Sequence, residues 1–190
     1  KMKKEAREIA EQLGFCNARK HDSQDICFVP NGDYVKFMEQ YTGKQYPAGA
    51  FLDLEGQTVG RHCGAVRYTL GQRKGLGLAM GEPVYVCGKN MAANTVTVGP
   101  ENALYSSMLL AEDMNWISIP QLKQPMRVKA KTRYRQAEQW AAVYPEQHGR
   151  VRLEFDVPQR AVTVGQAVVL YDGDVVVGGG TICQAPPTKR

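Results

Sequence analysis

Two groups of residues in this chain have types and spacing suited to chemistry. The first is Cys27, a single thiol in the apolar run Ile26-Cys27-Phe28-Val29, set behind the polar approach Lys20-His21-Asp22-Ser23-Gln24-Asp25 and ahead of Pro30. A thiol beside a charged segment suits a nucleophile or a sulfur carrier, because the thiolate is the reactive form. The same four residues suit a buried strand in which the cysteine is only a small hydrophobe. Read from these residues alone, both remain open.

The second group lies in residues 126–135, where Arg127, Lys129, Lys131, Arg133 and Arg135 alternate with Met126, Val128, Ala130, Thr132 and Tyr134. A period of two places all five cations on one face of a strand. Side chains on one face repeat every ~6.5–7 Å, close to the spacing of phosphates along a nucleic-acid strand. No acidic residue occurs between Trp116 and Ala137, so the stripe carries no compensating charge within its own segment and points to a phosphate-bearing partner. The competing reading is a solvated outer face, which would carry mixed charge.

A third stretch, Thr69-Leu70-Gly71-Gln72-Arg73-Lys74-Gly75-Leu76-Gly77, is a glycine-rich loop holding Arg73 and Lys74. It has neither the Gly-Lys-Ser/Thr of a P-loop nor the Gly-x-Gly-x-x-Gly of a dinucleotide turn. Its glycines let the backbone approach another surface closely, and RNA and protein are equally suitable partners. His21, His62 and His148 have no companion at metal or triad spacing and are read as structural. His62 and Cys63, adjacent on an extended segment, point to opposite faces. Gly178-Gly179-Gly180 suits a bulge or a tight closure of a sheet.

The elements that must position these residues follow from periodicity. Met2, Ala6, Ile9, Ala10 and Leu13 recur at helical spacing, with Gly14 where a helix stops. No capping residue precedes this helix, which points to a chain that continues upstream. Asn31-Gly32-Asp33 is placed to cap a second short helix through Tyr34, Phe37, Met38 and Tyr41, ending at Gly43. From Gly49 the pattern changes to short extended runs between turns. These are 51–53 with 57–59, 83–87 with 95–98, then 107–111, 126–135, 139–144, 150–155, 167–171 and 175–177. Turns are expected at 146–149 and 172–174. A soft boundary falls at 113–120. The expected fold is therefore mainly β with a short α-helical N-terminal segment: residues 1–30 as the tail of a preceding domain with the cysteine segment, a small central α+β or β domain over 31–112, and an antiparallel β-barrel over 113–190.

At 190 residues the chain can bury a core without disulfides or metal. Its five cysteines are odd in number and widely spaced, with no Cys-x-x-Cys pair, which suits a reducing, cytoplasmic compartment and no metal site. No apolar stretch approaches the ~20 residues that span a bilayer, so no membrane role is expected. The net charge of +5 is modest but unevenly distributed, which favours phosphate-bearing partners.

Taken in order, residues 20–28, Gly60-Arg61-His62-Cys63-Gly64, residues 68–77, Thr132-Arg133-Tyr134-Arg135, Gly165-Gln166-Ala167-Val168 and Gly178-Gly179-Gly180 resemble the tRNA-specific 2-thiouridylase family. The resemblance runs across essentially the whole chain. It implies an N-terminal ATP-pyrophosphatase domain, a small central domain and a C-terminal β-barrel, of which this chain resembles the end of the first and the two that follow.

In that family ATP, as co-substrate, adenylates the C2 oxygen of the wobble uridine, and sulfur delivered as a cysteine persulfide by a donor protein displaces the adenylate. The resemblance implies that Cys27 carries the persulfide and that Arg133, Tyr134 and Gln166 contact tRNA. Arg127, Lys129, Lys131 and Arg135 on the stripe and Arg73 and Lys74 in the loop join them as candidate tRNA contacts. The resemblance places the second cysteine, which closes a disulfide with the first as sulfur leaves, in the N-terminal domain. The Ser-Gly-Gly-x-Asp-Ser pyrophosphate loop belongs there too and is absent from these residues, so the chain by itself is expected to be inactive. Two other readings compete: a non-catalytic RNA-binding barrel module, and a thiol-redox protein using Cys27.

Overall fold

The computed structural model describes residues 3–16, 18, 29 and 33–188. The chain divides into two compact units, Lys1–Gln45 and Tyr46–Arg190. It is mainly β with a short helical N-terminal segment, as the sequence leads one to expect.

In the first unit, helix α1 (Lys3–Gln12) stops at Gly14, whose φ of +72° places it in the left-handed region. The Phe15 amide donates to the Ala10 carbonyl at 3.0 Å, closing the last turn. Helix α2 (Tyr34–Thr42) is capped by Asp33, whose carboxylate accepts the Lys36 amide at 3.0 Å. It ends where Gly43 turns left-handed and donates its amide to Glu39. Both helices follow from the apolar spacing and caps read in the sequence. Among the described residues, no helix is long and apolar enough to cross a membrane.

The second unit opens with a four-stranded sheet built from β1 (Gly49–Leu52), β2 (Thr58–His62), β3 (Tyr85–Asn90) and β4 (Thr95–Gly99), in the order β2-β1-β4-β3. The two hairpins are those expected from the turns. Asp53 makes the first by accepting the Glu55 and Gln57 amides at 3.1 and 2.7 Å. The sequence could not say that the hairpins join side by side through a parallel β1–β4 pair. Alternation buries Phe51, Val86, Val96 and Val98, and Ala65, Tyr68 and Leu76 from the following turns close over them.

The rest of the unit is a closed barrel of β5 (Tyr105–Trp116), β6 (Met126–Lys131), β7 (Gln139–Pro145), β8 (Val151–Arg160), β9 (Ala167–Asp172) and β10 (Val175–Gln184). Round the barrel the order is β10-β5-β8-β7-β6-β9. Its interior is filled by small branched side chains such as Leu109, Val128, Val143, Leu153, Val168, Leu170 and Ile182, which fits the limited width of a six-stranded cylinder.

Three barrel strands exceed the runs read in the sequence by four residues or more, and one is shorter. β5 extends to Trp116, into the segment 113–120 where the soft boundary was expected. This strand carries a bulge: Asp113 has φ +52°, and the pairing with β10 slips between Glu112↔Thr181 and Asn115↔Gly179. β10 runs through the triple glycine, where the sheet closes tightly. A Cβ on Gly178 would lie 2.6 Å from the Asn115 carbonyl oxygen, and one on Gly179 2.8 Å from that of Val168. β8 extends to Arg160. β6, by contrast, ends at Lys131, so the single ten-residue strand expected over 126–135 is not formed. There the Thr132 hydroxyl donates to Gln136 Oε1 at 2.8 Å and the Gln136 amide to the Arg133 carbonyl at 3.2 Å, turning the chain out of the sheet.

Candidate nucleic-acid interface

Cys27, the first candidate, lies outside the described residues. His62 and Cys63 separate as expected, the imidazole buried and the thiol exposed. His62 Nδ1 accepts the Gly64 amide at 3.0 Å, so the ring proton sits on Nε2. That nitrogen is buried with no hydrogen-bond partner among the described residues. Burial holds the His62 pKa below its ordinary value, against a weaker opposing pull from the Asn94 carbonyl. No cluster of His, Cys, Asp and Glu that could hold a metal occurs among the described residues.

The cationic stripe is divided in two by its neighbours. On β6 the burial alternates as a half-buried strand requires, with Val128 and Ala130 inside and Arg127, Lys129 and Lys131 outside. Arg127 is paired with Asp156 of β8, and Lys129 with Glu138 at 3.0 Å. Both cations also lie 5.5 Å from the ring centroid of Trp140, which is 49% exposed. Arg152 of β8 is paired with Glu146 and Glu154. This wall carries mixed charge, because β8 and the residues that flank β7 bring the carboxylates that the β6 segment lacks. The uncompensated cation row expected from the sequence is therefore corrected over Arg127 and Lys129.

The other end keeps its charge. Lys131 has no carboxylate partner among the described residues, and its Nζ lies 5.5 Å from the Tyr171 ring centroid. Beyond it the chain makes the turn, with Tyr134 96% exposed at its tip and Arg135 exposed beside it. Arg133 and Arg135 therefore leave the strand face to which the alternation assigned them. Arg133 folds back, donating from Nη2 to the Ala161 carbonyl at 2.6 Å and to Thr163 Oγ1 at 3.2 Å. Lys131, Arg133, Tyr134, Gln166 and Tyr171 together line one cavity of about 350 Å³. An open cavity with two phenol rings, two cations and one amide offers base stacking, phosphate pairing and a hydrogen-bonding edge.

The glycine-rich loop is held by its own backbone. The Gly71 amide donates to the Val86 carbonyl at 2.8 Å, and the Val86 amide to the Gln72 carbonyl at 2.9 Å. Gly71, at φ +83°, sits so close to the end of β8 that a Cβ would lie 3.1 Å from Ala161 Cβ. The two partners left open for this loop divide between its parts. Its backbone packs on protein, while Arg73 and Lys74 are exposed.

Four contributors escaped the sequence reading: Trp140, Tyr171, Ala161 and Thr163. Trp140 and Tyr171 sit directly opposite Lys129 across β6, a cross-strand relation that needs a register to be seen. Ala161 and Thr163 carried no local signal at all.

Three family profiles match this chain in order: a tRNA methyl transferase HUP domain over residues 1–31, a tRNA methyl transferase PRC-barrel domain over 35–100, and an aminomethyltransferase β-barrel domain over 106–182. The tRNA-specific 2-thiouridylase MnmA of Acetivibrio thermocellus is 53% identical over 180 residues, covering 95% of this chain and 50% of the relative. The protein of the same name from Heliobacterium modesticaldum is 50% identical, covering 95% and 47%. That from Koribacter versatilis is 48% identical, covering 96% and 51%. The chain thus spans about half the length of the curated relatives it matches.

Proposed function

The chain belongs to the tRNA-specific 2-thiouridylase family, and from that premise we propose that it is the tRNA-holding and sulfur-delivering part of an enzyme that 2-thiolates the wobble uridine of tRNA. Cys27 carries the sulfur as a persulfide supplied by a donor protein. ATP, a substrate of the reaction, is bound by the preceding domain of the family, whose Ser-Gly-Gly-x-Asp-Ser loop is not among these residues.

The chemistry balances in three transfers. The uridine C2 oxygen attacks the α-phosphate of ATP and pyrophosphate leaves. The outer sulfur of the Cys27 persulfide then forms a bond to C2, and AMP departs with the former carbonyl oxygen. Finally a second cysteine thiolate attacks Cys27 Sγ, breaking the S–S bond. The electron pair stays on the transferred sulfur as 2-thiouridine, and the two cysteines are left as a disulfide. Cys27 suits the central step because persulfide sulfur is a strong nucleophile and exchanges through thiol–disulfide chemistry.

In tRNA binding, Lys131 and Arg135 supply charge for backbone phosphates, Tyr134 and Tyr171 supply faces for stacking, and Gln166 supplies a hydrogen-bonding edge. Arg73 and Lys74 extend the same basic surface. The observation that carries this reading is the cavity beside the turn, where Lys131, reached from strand periodicity, meets Arg133, Tyr134 and Gln166, reached from family resemblance.

The test is Cys27→Ser in the intact protein. Thiolation of tRNA should be lost while tRNA binding and uridine adenylation persist. Thiolation at a near-normal rate with a persulfide donor would overturn the role of Cys27 and leave only an RNA-binding module.

A further inference from the structure

Arg133 differs from the other cations of the basic segment in what holds it. Its Nη2 donates to the Ala161 carbonyl and to the Thr163 hydroxyl, and that hydroxyl donates in turn to the same carbonyl at 3.0 Å. The three groups close a triangle. Ala161 is itself a fixed corner: it is 1% exposed, has φ +53°, and donates its amide to the Leu104 carbonyl at 2.8 Å. A non-glycine residue keeps such a backbone only when its surroundings hold it there. The Gly71 turn packs against this corner, where a Cβ on Gly71 would lie 3.1 Å from Ala161 Cβ, closer than ordinary contact.

The turn that Arg133 belongs to is wired from within as well. The Thr132 hydroxyl donates to Gln136 Oε1, and Gln136 Nε2 donates to Gln159 Oε1. Thr132 and Gln159 are 2% and 3% exposed. Buried polar groups that are fully paired fix one geometry. What this geometry presents is Tyr134 and Arg135, both exposed at the tip.

We propose that Arg133 is a positioning residue for tRNA binding. Through the Ala161 carbonyl and the Thr163 hydroxyl it ties the turn of residues 132–136 to the corner that also seats the Gly71 turn. Tyr134 and Arg135 are thereby held in fixed register with the loop that carries Arg73 and Lys74, and the uncharged Thr163 is part of the device. The inference rests on the tRNA-binding reading above. A surface ordered in advance binds more tightly because less ordering remains to be done on contact. A planar, forked guanidinium can serve the carbonyl and the hydroxyl together, which a lysine ammonium does less well.

The experiment measures tRNA affinity of the intact protein at fixed salt, with Thr163→Val, Thr163→Ser, Arg133→Lys, Arg133→Ala and Arg135→Ala, and hydrogen exchange at the Gln136 amide. Thr163→Val should weaken binding by about threefold to tenfold and speed exchange at Gln136, while its salt slope stays that of the parent because no phosphate contact is removed. Thr163→Ser should restore both. Arg133→Lys should bind as poorly as Arg133→Ala, about tenfold below the parent. If Arg135→Ala weakens binding while Thr163→Val and Arg133→Lys match the parent, Arg133 acts as a plain charge and the positioning role is overturned. If Arg135→Ala also matches the parent, the tRNA surface itself is misplaced and both readings fall.

Discussion

Arg127 on β6 reaches across the full width of β7 to Asp156 on β8, its two terminal nitrogens meeting the two carboxylate oxygens, with Nη1 to Oδ1 at 2.8 Å. On the way its guanidinium passes 5.5 Å from the Trp140 ring centroid. The hydrogen bond from Arg127 holds Asp156 below the ordinary carboxylate range, so the pair stays charged and mutually satisfied at neutral pH. The cation with which the basic alternation begins is therefore already partnered. The charge available to an RNA backbone is concentrated at the far end, from Lys131 to Arg135.

That division makes a prediction about salt. Replacing Lys131 and Arg135 together by alanine should flatten the dependence of log tRNA affinity on log salt by roughly one to two units, one phosphate contact each. Replacing Arg127 and Lys129 should change the slope by less than about half a unit. Titration of tRNA binding between low and physiological salt measures both. Equal flattening by the two double variants would mean that Asp156 and Glu138 do not withdraw their partners.

His62 should make stability depend on pH. Its folded pKa lies below the ordinary 6.5 because burial disfavours the charged ring. Below pH 6.5 the unfolded chain takes up a proton that the folded chain resists, so stability present above that value is lost as pH falls. The slope from this one group is at most about 1.4 kcal/mol per pH unit. Urea unfolding at pH 7.5 and 5.5 should show the loss, and His62→Gln should reduce it. An unchanged pH dependence in that variant would assign the effect to other groups.

The closure of the barrel should be intolerant of a single methyl group. Gly178→Ala drives a Cβ against the Asn115 carbonyl oxygen and the Trp116 ring at 2.6 and 3.0 Å. Backbone cannot yield as a side chain would, and the cost should be roughly 1–3 kcal/mol. Gly81→Ala, where nothing lies within 4 Å, is the matched control and should be near neutral. Denaturant midpoints of the two variants decide the matter.

Thiol reactivity should sort by burial. Cys87 and Cys183 have pKa values pushed up, first by desolvation, and their sulfurs donate to the Tyr85 and Leu110 carbonyls. Cys16 and Cys63 are exposed. Alkylation at neutral pH followed by peptide mass spectrometry should find Cys63 modified well before Cys87 and Cys183. Early modification of Cys87 would indicate that β3 opens readily.

Much of this protein is legible in its sequence because the signals are local. Asp33 and Gly43 delimit α2 since a carboxylate can reach the third amide after it and a glycine can turn left-handed. Asp53 closes its hairpin by the same kind of short-range bond. Alternation alone put Arg127, Lys129 and Lys131 outside and Val128 and Ala130 inside, since a pleated strand has a period of two. What lies outside those cations was not local. Asp156 and Glu138 come from other segments, and only the register of β6, β7 and β8 decides which cation each carboxylate meets. The end of β6 was hidden as well: Thr132 and Arg135 continue the alternation in type, but bonds from Thr132 to Gln136 and from the Gln136 amide to the Arg133 carbonyl turn the chain out of the strand, and Gln136 then meets Gln159 of β8, a partner that no local pattern shows. Ala161 is the extreme case. An alanine carries no information in its side chain, and its role comes entirely from a carbonyl oxygen whose direction is set by the barrel wall, Leu104 and Gly71.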